Sequence, residues 1–177
     1  MRHPAEHHLL GWPGFGDEPA DPSVRGLDDL VTRVLARIDR PTALIAQSMG
    51  GLITMRAALE KPEWVTHLVL SATSGGINVA ALGGAEWREA FQAANPQLPR
   101  WFADHHEDLS DRLPTVQAPT LLLWGGADVI SPLRVGEHLC GLLPDAVLHY
   151  FPRGEHDVVR SHADAVAGLI DRHLGLV

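Results

Sequence analysis

At 177 residues the chain has the length of one domain with a full core, and 45% hydrophobic with 20% charged residues is a globular profile. A formal net charge of −8 argues against nucleic acid or an anionic membrane as partner. No apolar run approaches the ~20 residues that span a bilayer, and the opening MRHPAEHH holds no signal-peptide core. Cys140 is the only cysteine, which excludes an internal disulfide, fits a reducing compartment and makes the cytoplasm the expected location.

Residues 8–21 (HLLGWPGFGDEPAD) are a short apolar start followed by a loop rich in glycine and proline. From Gly26 to Asp39, the residues Leu27, Leu30, Val31, Val34, Leu35 and Ile38 recur at helical spacing, and Pro41 lies just past the end. Ala43–Ala46 then has strand length and apolar content. It meets Ser48 and the pair Gly50-Gly51, after which Leu52, Ile53, Met55 and Leu59 mark a helix that stops near Lys61-Pro62. His67–Ala72 reads as a second buried strand and Pro119–Trp124 as a third, ending in Gly125-Gly126. Ser131-Pro132 is expected to cap and open a helix running toward Leu143-Pro144. Val147–Phe151 is a fourth strand and Val158–Leu174 a closing helix.

Apolar strands alternating with helices predict an α/β fold, with a mostly parallel sheet covered on both faces. Residues 75–117 interrupt the alternation. They hold two helical stretches, Glu86–Ala94 and Arg100–Leu113, and the aromatics Trp87, Phe91, Trp101 and Phe102. An insertion leaving the carboxyl end of a strand is placed to roof a ligand crevice, so 75–117 is expected to be a small cap on a single domain. Trp87 and Phe91, one helical turn apart, are candidate substrate-binding residues, the plainer role being the cap's own core.

Strand, sharp turn and helix with serine at the apex is the context in which a G-x-S-x-G pattern carries chemistry; here Ala46 replaces the first glycine. Small residues two before and two after the serine let the strand and helix backbones approach. The alternative is a serine that caps a buried helix. A serine hydroxyl needs a base to take its proton, and the base needs an acid to orient it. Asp128 follows the third strand by a short Gly-Gly-Ala loop, and His156 follows the fourth by Pro-Arg-Gly-Glu, so both belong at the sheet edge that carries Ser48. The alternatives are a turn carboxylate for Asp128 and an exposed loop residue for His156. His105-His106-Glu107-Asp108 lacks metal-ligand spacing, and neither metal nor cofactor is expected.

With these residues together, the chain resembles the α/β-hydrolase superfamily, and is most similar to small esterase-like members that include the pimeloyl-carrier-protein methyl ester esterases. The matching stretches are Pro-Gly-Phe-Gly-Asp (13–17), Gln-Ser-Met-Gly-Gly (47–51), Leu-Leu-Trp-Gly-Gly-Ala-Asp (122–128) and Gly-Glu-His (154–156). The resemblance implies a three-layer sandwich with Ser48 as nucleophile, His156 as general base then acid, and Asp128 as its orienter. It further implies the Met49 N–H as an oxyanion donor.

The resemblance also implies a shortened amino-terminal side. In the family, Pro-Gly-Phe-Gly follows the fourth strand, and the preceding strand leads into a loop carrying the second oxyanion donor. Residues 8–12 are therefore expected to be that fourth strand, with the first three strands and that loop absent; Met49 N–H is then the one assured donor and slow ester turnover is expected, with the backbone of Gly11 and Trp12 as the substitute donor should turnover prove fast. The expected function is hydrolysis of a carboxylic ester or related acyl compound through an acyl-enzyme on Ser48. The rival expectation is an impaired homologue that binds or scaffolds. The expected partners are a small-molecule acyl substrate and a second copy covering the shortened sheet.

Overall fold

The structure, a computed structural model, describes residues 6–176; the first five residues, part of the stretch read as lacking a signal-peptide core, lie outside it. Four parallel strands form one sheet: β1 (Thr42–Gln47), β2 (Val65–Ser71), β3 (Thr120–Gly125) and β4 (Ala146–Phe151), in that spatial order. Helices α1 (Leu27–Leu35), α2 (Met49–Glu60) and α5 (Leu133–Leu142) pack their apolar positions against Leu68, Leu70, Leu122 and Trp124 on one face. The other face, Val69, Leu121, Leu123 and Phe151, is covered by α6 (Val158–Ser161) and α7 (Ala163–His173). Two short helices, α3 (Arg88–Ala94) and α4 (Trp101–Asp104), lie in the excursion between β2 and β3.

The two ends of α1 have physical causes. The apolar stripe of α1 buries Leu27, Leu30, Val31 and Val34, with Asp28 and Asp29 in its first turn, where the helix dipole favours carboxylates. Its last carbonyls do not go unpaired. Lys61, just past α2, donates from Nζ to the Leu35 and Ile38 oxygens at 2.8 and 2.6 Å.

The structure corrects several expectations. Coverage of both sheet faces holds at the centre only: β3 is buried throughout, whereas burial alternates along β1, leaving Ile45 42% exposed. β1 is an edge strand, so its apolar run is buried on the α1–α2 side alone. Residues 8–12 form no strand, and Leu9 is 97% exposed because no partner lies beside it to pair its backbone. The stretch Arg100–Leu113 is helical only over Trp101–Asp104. The Asp108 carboxylate accepts the Ser110 N–H and hydroxyl, and Leu109 N–H donates to Gly76 O, so local bonds compete with a helical ladder. The closing helix breaks at His162, whose φ of −123° and ψ of 32° are not helical and whose ring stacks on Phe151 at 4.5 Å. Ser131 does not cap α5; Pro132 stands at that position, and Ser131 is bonded elsewhere.

Where β1 has no helix over its second face, Ile45, Val69, Leu123, Val159 and Ile170 line an apolar groove of about 200 Å³. Among the described residues, no helix is long and apolar enough to cross a membrane.

Candidate active site

All four strands run parallel, so the loops leaving their carboxyl ends gather on one edge of the sheet. Ser48 connects β1 directly to α2 with φ 53° and ψ −126°, a backbone conformation rare for a residue with a side chain. Its N–H donates to Ser71 O at 3.0 Å and its carbonyl accepts Gly51 N–H at 3.0 Å, which hold the turn shut. A Cβ on Gly50 would stand 3.4 Å from the Ala46 Cβ, so the two small residues flanking the serine lie side by side where strand meets helix. Ser48 stands at the N-cap of α2 without a side-chain capping bond. Its hydroxyl faces His156 instead, 3.1 Å from Nε2.

His156 Nδ1 lies 2.9 Å from Asp128 Oδ2. A carboxylate only accepts, so Nδ1 carries the proton and Nε2 is left as the acceptor for the Ser48 hydroxyl. The Asp128 side chain is fully buried, which would be costly for an isolated charge. Its other oxygen, Oδ1, accepts the Ile130 and Ser131 backbone N–H groups at 2.8 and 3.0 Å, leaving Oδ2 to the imidazole. Ser131 is fixed in turn: its hydroxyl donates to Thr73 O at 3.1 Å and its carbonyl accepts Trp124 Nε1–H at 2.8 Å. The structure thus brings Ser48, His156 and Asp128 into one hydrogen-bonded line.

The loop carrying His156 must pass over the end of β3, and two glycines make room. A Cβ on Gly125 would stand 2.5 Å from Glu155 O, and one on Gly126 would stand 2.7 Å from Pro152 O. Both contacts are impossible for a side chain, so Gly125-Gly126 is a steric requirement of the crossing.

The other expected residues are placed differently. Met49 opens α2, and among the described residues its N–H has no acceptor, as expected for the first amide of a helix. Trp12 is partly buried against the α1–α2 core, and no hydrogen bond joins it to the three residues above. Trp87 and Phe91 do share a face, with ring centroids 5.6 Å apart, and both pack on Phe102. Phe15 joins them through Phe102 at 4.8 Å, so these rings form one half-buried cluster tying the Gly/Pro loop to the excursion. Among the described residues, no group of three His, Cys, Asp or Glu is disposed to hold a metal ion; His105 Nε2 lies 3.4 Å from Glu107. Sequence reasoning missed Gln47, whose Nε2 donates to His156 O at 2.9 Å. The one signal for it was a polar residue ending an otherwise apolar strand.

The family described as "Serine aminopeptidase, S33" matches residues 18–101, from before α1 to the first residue of α4. A hydrolase of Pseudomonas aeruginosa PA01 has the same fold, with a TM-score of 0.72 and 22% identity, covering 92% of this chain and 77% of that one. The chain has the α/β-hydrolase fold and is similar in sequence to hydrolases of that fold. The pimeloyl-[acyl-carrier protein] methyl ester esterase of Chromobacterium violaceum is 27% identical, covering 94% of this chain and 83% of its own length. That alignment runs over 211 residues, longer than the 177 of this chain, so the esterase carries additional residues within the matched span. A shorter match, 48% identical over 58 residues, links 33% of the chain to 20% of the 2-hydroxy-6-oxo-6-phenylhexa-2,4-dienoate hydrolase of Delftia acidovorans.

Proposed function

We propose that this α/β hydrolase is a serine esterase, cleaving a carboxylic ester or related acyl compound through an acyl-enzyme on Ser48. The observation that carries the reading is the line Ser48–His156–Asp128, with bonds of 3.1 and 2.9 Å. Ser48 Oγ attacks the acyl carbonyl while His156 Nε2 takes its proton, and the Met49 N–H faces the oxygen that becomes negative. Collapse of this intermediate breaks the bond to the leaving oxygen, which receives the proton back from Nε2. Water then attacks the acyl-Ser48 ester, again losing its proton to His156, and the acid leaves as Ser48 is restored. The buried Asp128 carboxylate stabilises the imidazolium formed in both halves. The methyl ester esterase relatives support an ester, and the short match to a 2-hydroxy-6-oxo-6-phenylhexa-2,4-dienoate hydrolase makes that dienoate the comparison substrate. The segment 75–117 acts as the cap over the acyl group. A lone cysteine suits a reducing compartment, and we place the reaction in the cytoplasm.

The test is labelling by a fluorophosphonate probe, followed by peptide mapping. Label on Ser48, abolished in Ser48→Ala with the fold unchanged, supports the reading; label that persists in Ser48→Ala removes Ser48 from the mechanism.

The oxyanion side favours a second reading. Met49 N–H is the donor the elbow itself supplies, and Trp12 makes no bond to the site. Loss of one oxyanion donor costs about 10²–10³ in kcat. On this reading the chain acylates and binds acyl groups but turns over slowly, and a burst of p-nitrophenol followed by a slow steady state distinguishes it from an ordinary esterase.

A further inference from the structure

We propose that Gln47 is a positioning residue that locks the loop of the catalytic base to the strand of the nucleophile. The inference rests on the reading of Ser48 and His156 as nucleophile and base. Those residues come from opposite edges of the sheet: Ser48 follows β1, the first strand in the spatial order, and His156 follows β4, the last. Neighbouring strands lie ~4.8 Å apart, so the His156 loop has to cross roughly 14 Å of sheet edge before its imidazole can meet Ser48.

The near part of that crossing is well fixed. Gly154 N–H donates to Phe151 O at 2.9 Å, and Gly154 O accepts Ala127 N–H at 2.9 Å, which pins the loop over β3. The chain returns to the core at Val158, which is fully buried. His156 is the apex between these anchors. Apart from its own ring, the apex is held to β1 by the Gln47 amide, 2.9 Å from the His156 carbonyl oxygen. That oxygen can only accept, so the Gln47 group facing it is the NH₂ and not the amide oxygen.

Gln47 and Ser48 share a peptide bond. A bond from residue 47 to the backbone of residue 156 therefore makes the nucleophile and the base's loop move together, and the gap from Oγ to Nε2 is held from two sides. Gln47 is exposed and lies on the uncovered face of an edge strand, so the core does not depend on it. Its removal should loosen the apex without unfolding the chain. Misplacement of a reacting group by ~1 Å can cost about 10²-fold in rate, so a loosened apex should lower kcat by about 10- to 100-fold.

Three variants test this. Gln47→Glu keeps the shape but replaces the donor with an acceptor, Gln47→Met removes polarity, and Gln47→Lys restores a donor. Each is measured for kcat and KM on p-nitrophenyl acetate, for the rate of fluorophosphonate labelling, for Tm, and for hydrogen–deuterium exchange of residues 153–158. The expected result is a lower kcat and slower labelling in the Glu and Met variants, with KM and Tm unchanged, faster exchange at 154–157, and recovery in the Lys variant. Wild-type kcat and exchange in the Glu and Met variants, or a Lys variant no better than Met, would overturn the proposal. If the wild-type protein takes no label at Ser48, the serine esterase reading is what fails, and the exchange measurement still decides whether Gln47 holds the loop.

Discussion

Gly51 and Thr73 meet where α2 passes the end of β2: a Cβ on Gly51 would stand 2.6 Å from Thr73 Cβ and Cγ2. Thr73 cannot yield freely. Its Oγ1 accepts Gly75 N–H at 3.1 Å and its carbonyl accepts the Ser131 hydroxyl at 3.1 Å, while Ser131 N–H holds Asp128. Gly51→Ala should therefore destabilise by about 1–3 kcal/mol, the usual cost of overpacking. It should also slow labelling of Ser48, since the strain reaches both the elbow and the acid. Urea unfolding and the labelling rate measure the two effects, and a loss of stability with wild-type labelling would mean that Thr73 relaxes without moving Ser131.

The Asp128 carboxylate divides its work, with Oδ1 on two backbone amides and Oδ2 on His156. In Asp128→Asn the amides keep the oxygen, so the NH₂ must face Nδ1. Donor then meets donor, and the imidazole is driven to the tautomer with its proton on Nε2, which cannot accept from Ser48. The expected loss in kcat is on the order of 10⁴, with little change in KM. A loss of only a few-fold would show that another group orients the ring.

What the sequence made legible was local or directional. The elbow could be read because strand, small residue, serine, small residue and helix are consecutive. Asp128 and His156 could be read because each lies shortly after a strand whose direction is set by the parallel sheet. The illegible features depend on what stands beside a residue in space. Ala43–Ala46 reads as a buried strand, yet burial on its second face requires a neighbour, and Ile45 has none there. Arg100–Leu113 reads as helical, but the Asp108 turn and the Leu109 bond to Gly76 override it. The Gln47 bond joins residues 109 positions apart, and no spacing in the sequence announces it.

His67 supplies a stability prediction with a definite sign. It packs edge-on against His173 at 5.3 Å, and His173 Nε2–H donates to Leu68 O at 3.0 Å. Burial first, and the neighbouring His173 second, hold the His67 imidazole below its ordinary value of 6.5. A depressed histidine makes the unfolded chain bind the proton first on acidification. Its contribution is thus fully present above about pH 6.5 and is lost as the pH falls from there toward the native pKa. His67→Gln should flatten the fall in urea midpoint between about pH 7.5 and 5.5. An unchanged slope would assign the acid sensitivity to other groups.

The ring cluster separates a packing role from a substrate role. Trp87, Phe91 and Phe102 lie within 5.1 to 6.0 Å of one another, and such pairs contribute about 0.5–1.5 kcal/mol each beyond the area they bury. Replacing Trp87 and Phe91 with Ala should lower stability in either case. If the cap forms the acyl pocket, the same change should shift preference along a p-nitrophenyl ester series from acetate to decanoate, with labelling by a small fluorophosphonate little affected. An equal loss on every ester would leave the rings a packing role only.

The edge of β1 carries the last prediction. Thr42 N–H donates to Trp64 O and Ser48 N–H to Ser71 O, so alternate residues face β2 and Ala43, Ile45 and Gln47 turn their backbone groups to the open side. Natural edge strands are usually blunted by charge, proline or a covering element. Here Thr42–Gln47 holds no charged residue, Ile45 is exposed, and the groove beside it is apolar. A second copy that met this edge would offer an identical one: a two-fold axis through Ile45 would pair the β1 strands antiparallel and continue the sheet. Sedimentation velocity across a concentration series should show reversible self-association that Ile45→Lys weakens, because a charge on the bare face is poorly accommodated between two sheets' edges. Labelling of Ser48 should survive that change, since the Ile45 side chain lies on the face away from α2. A wild-type chain that stays monomeric at every concentration would mean that the open edge of β1 is not an interface between copies.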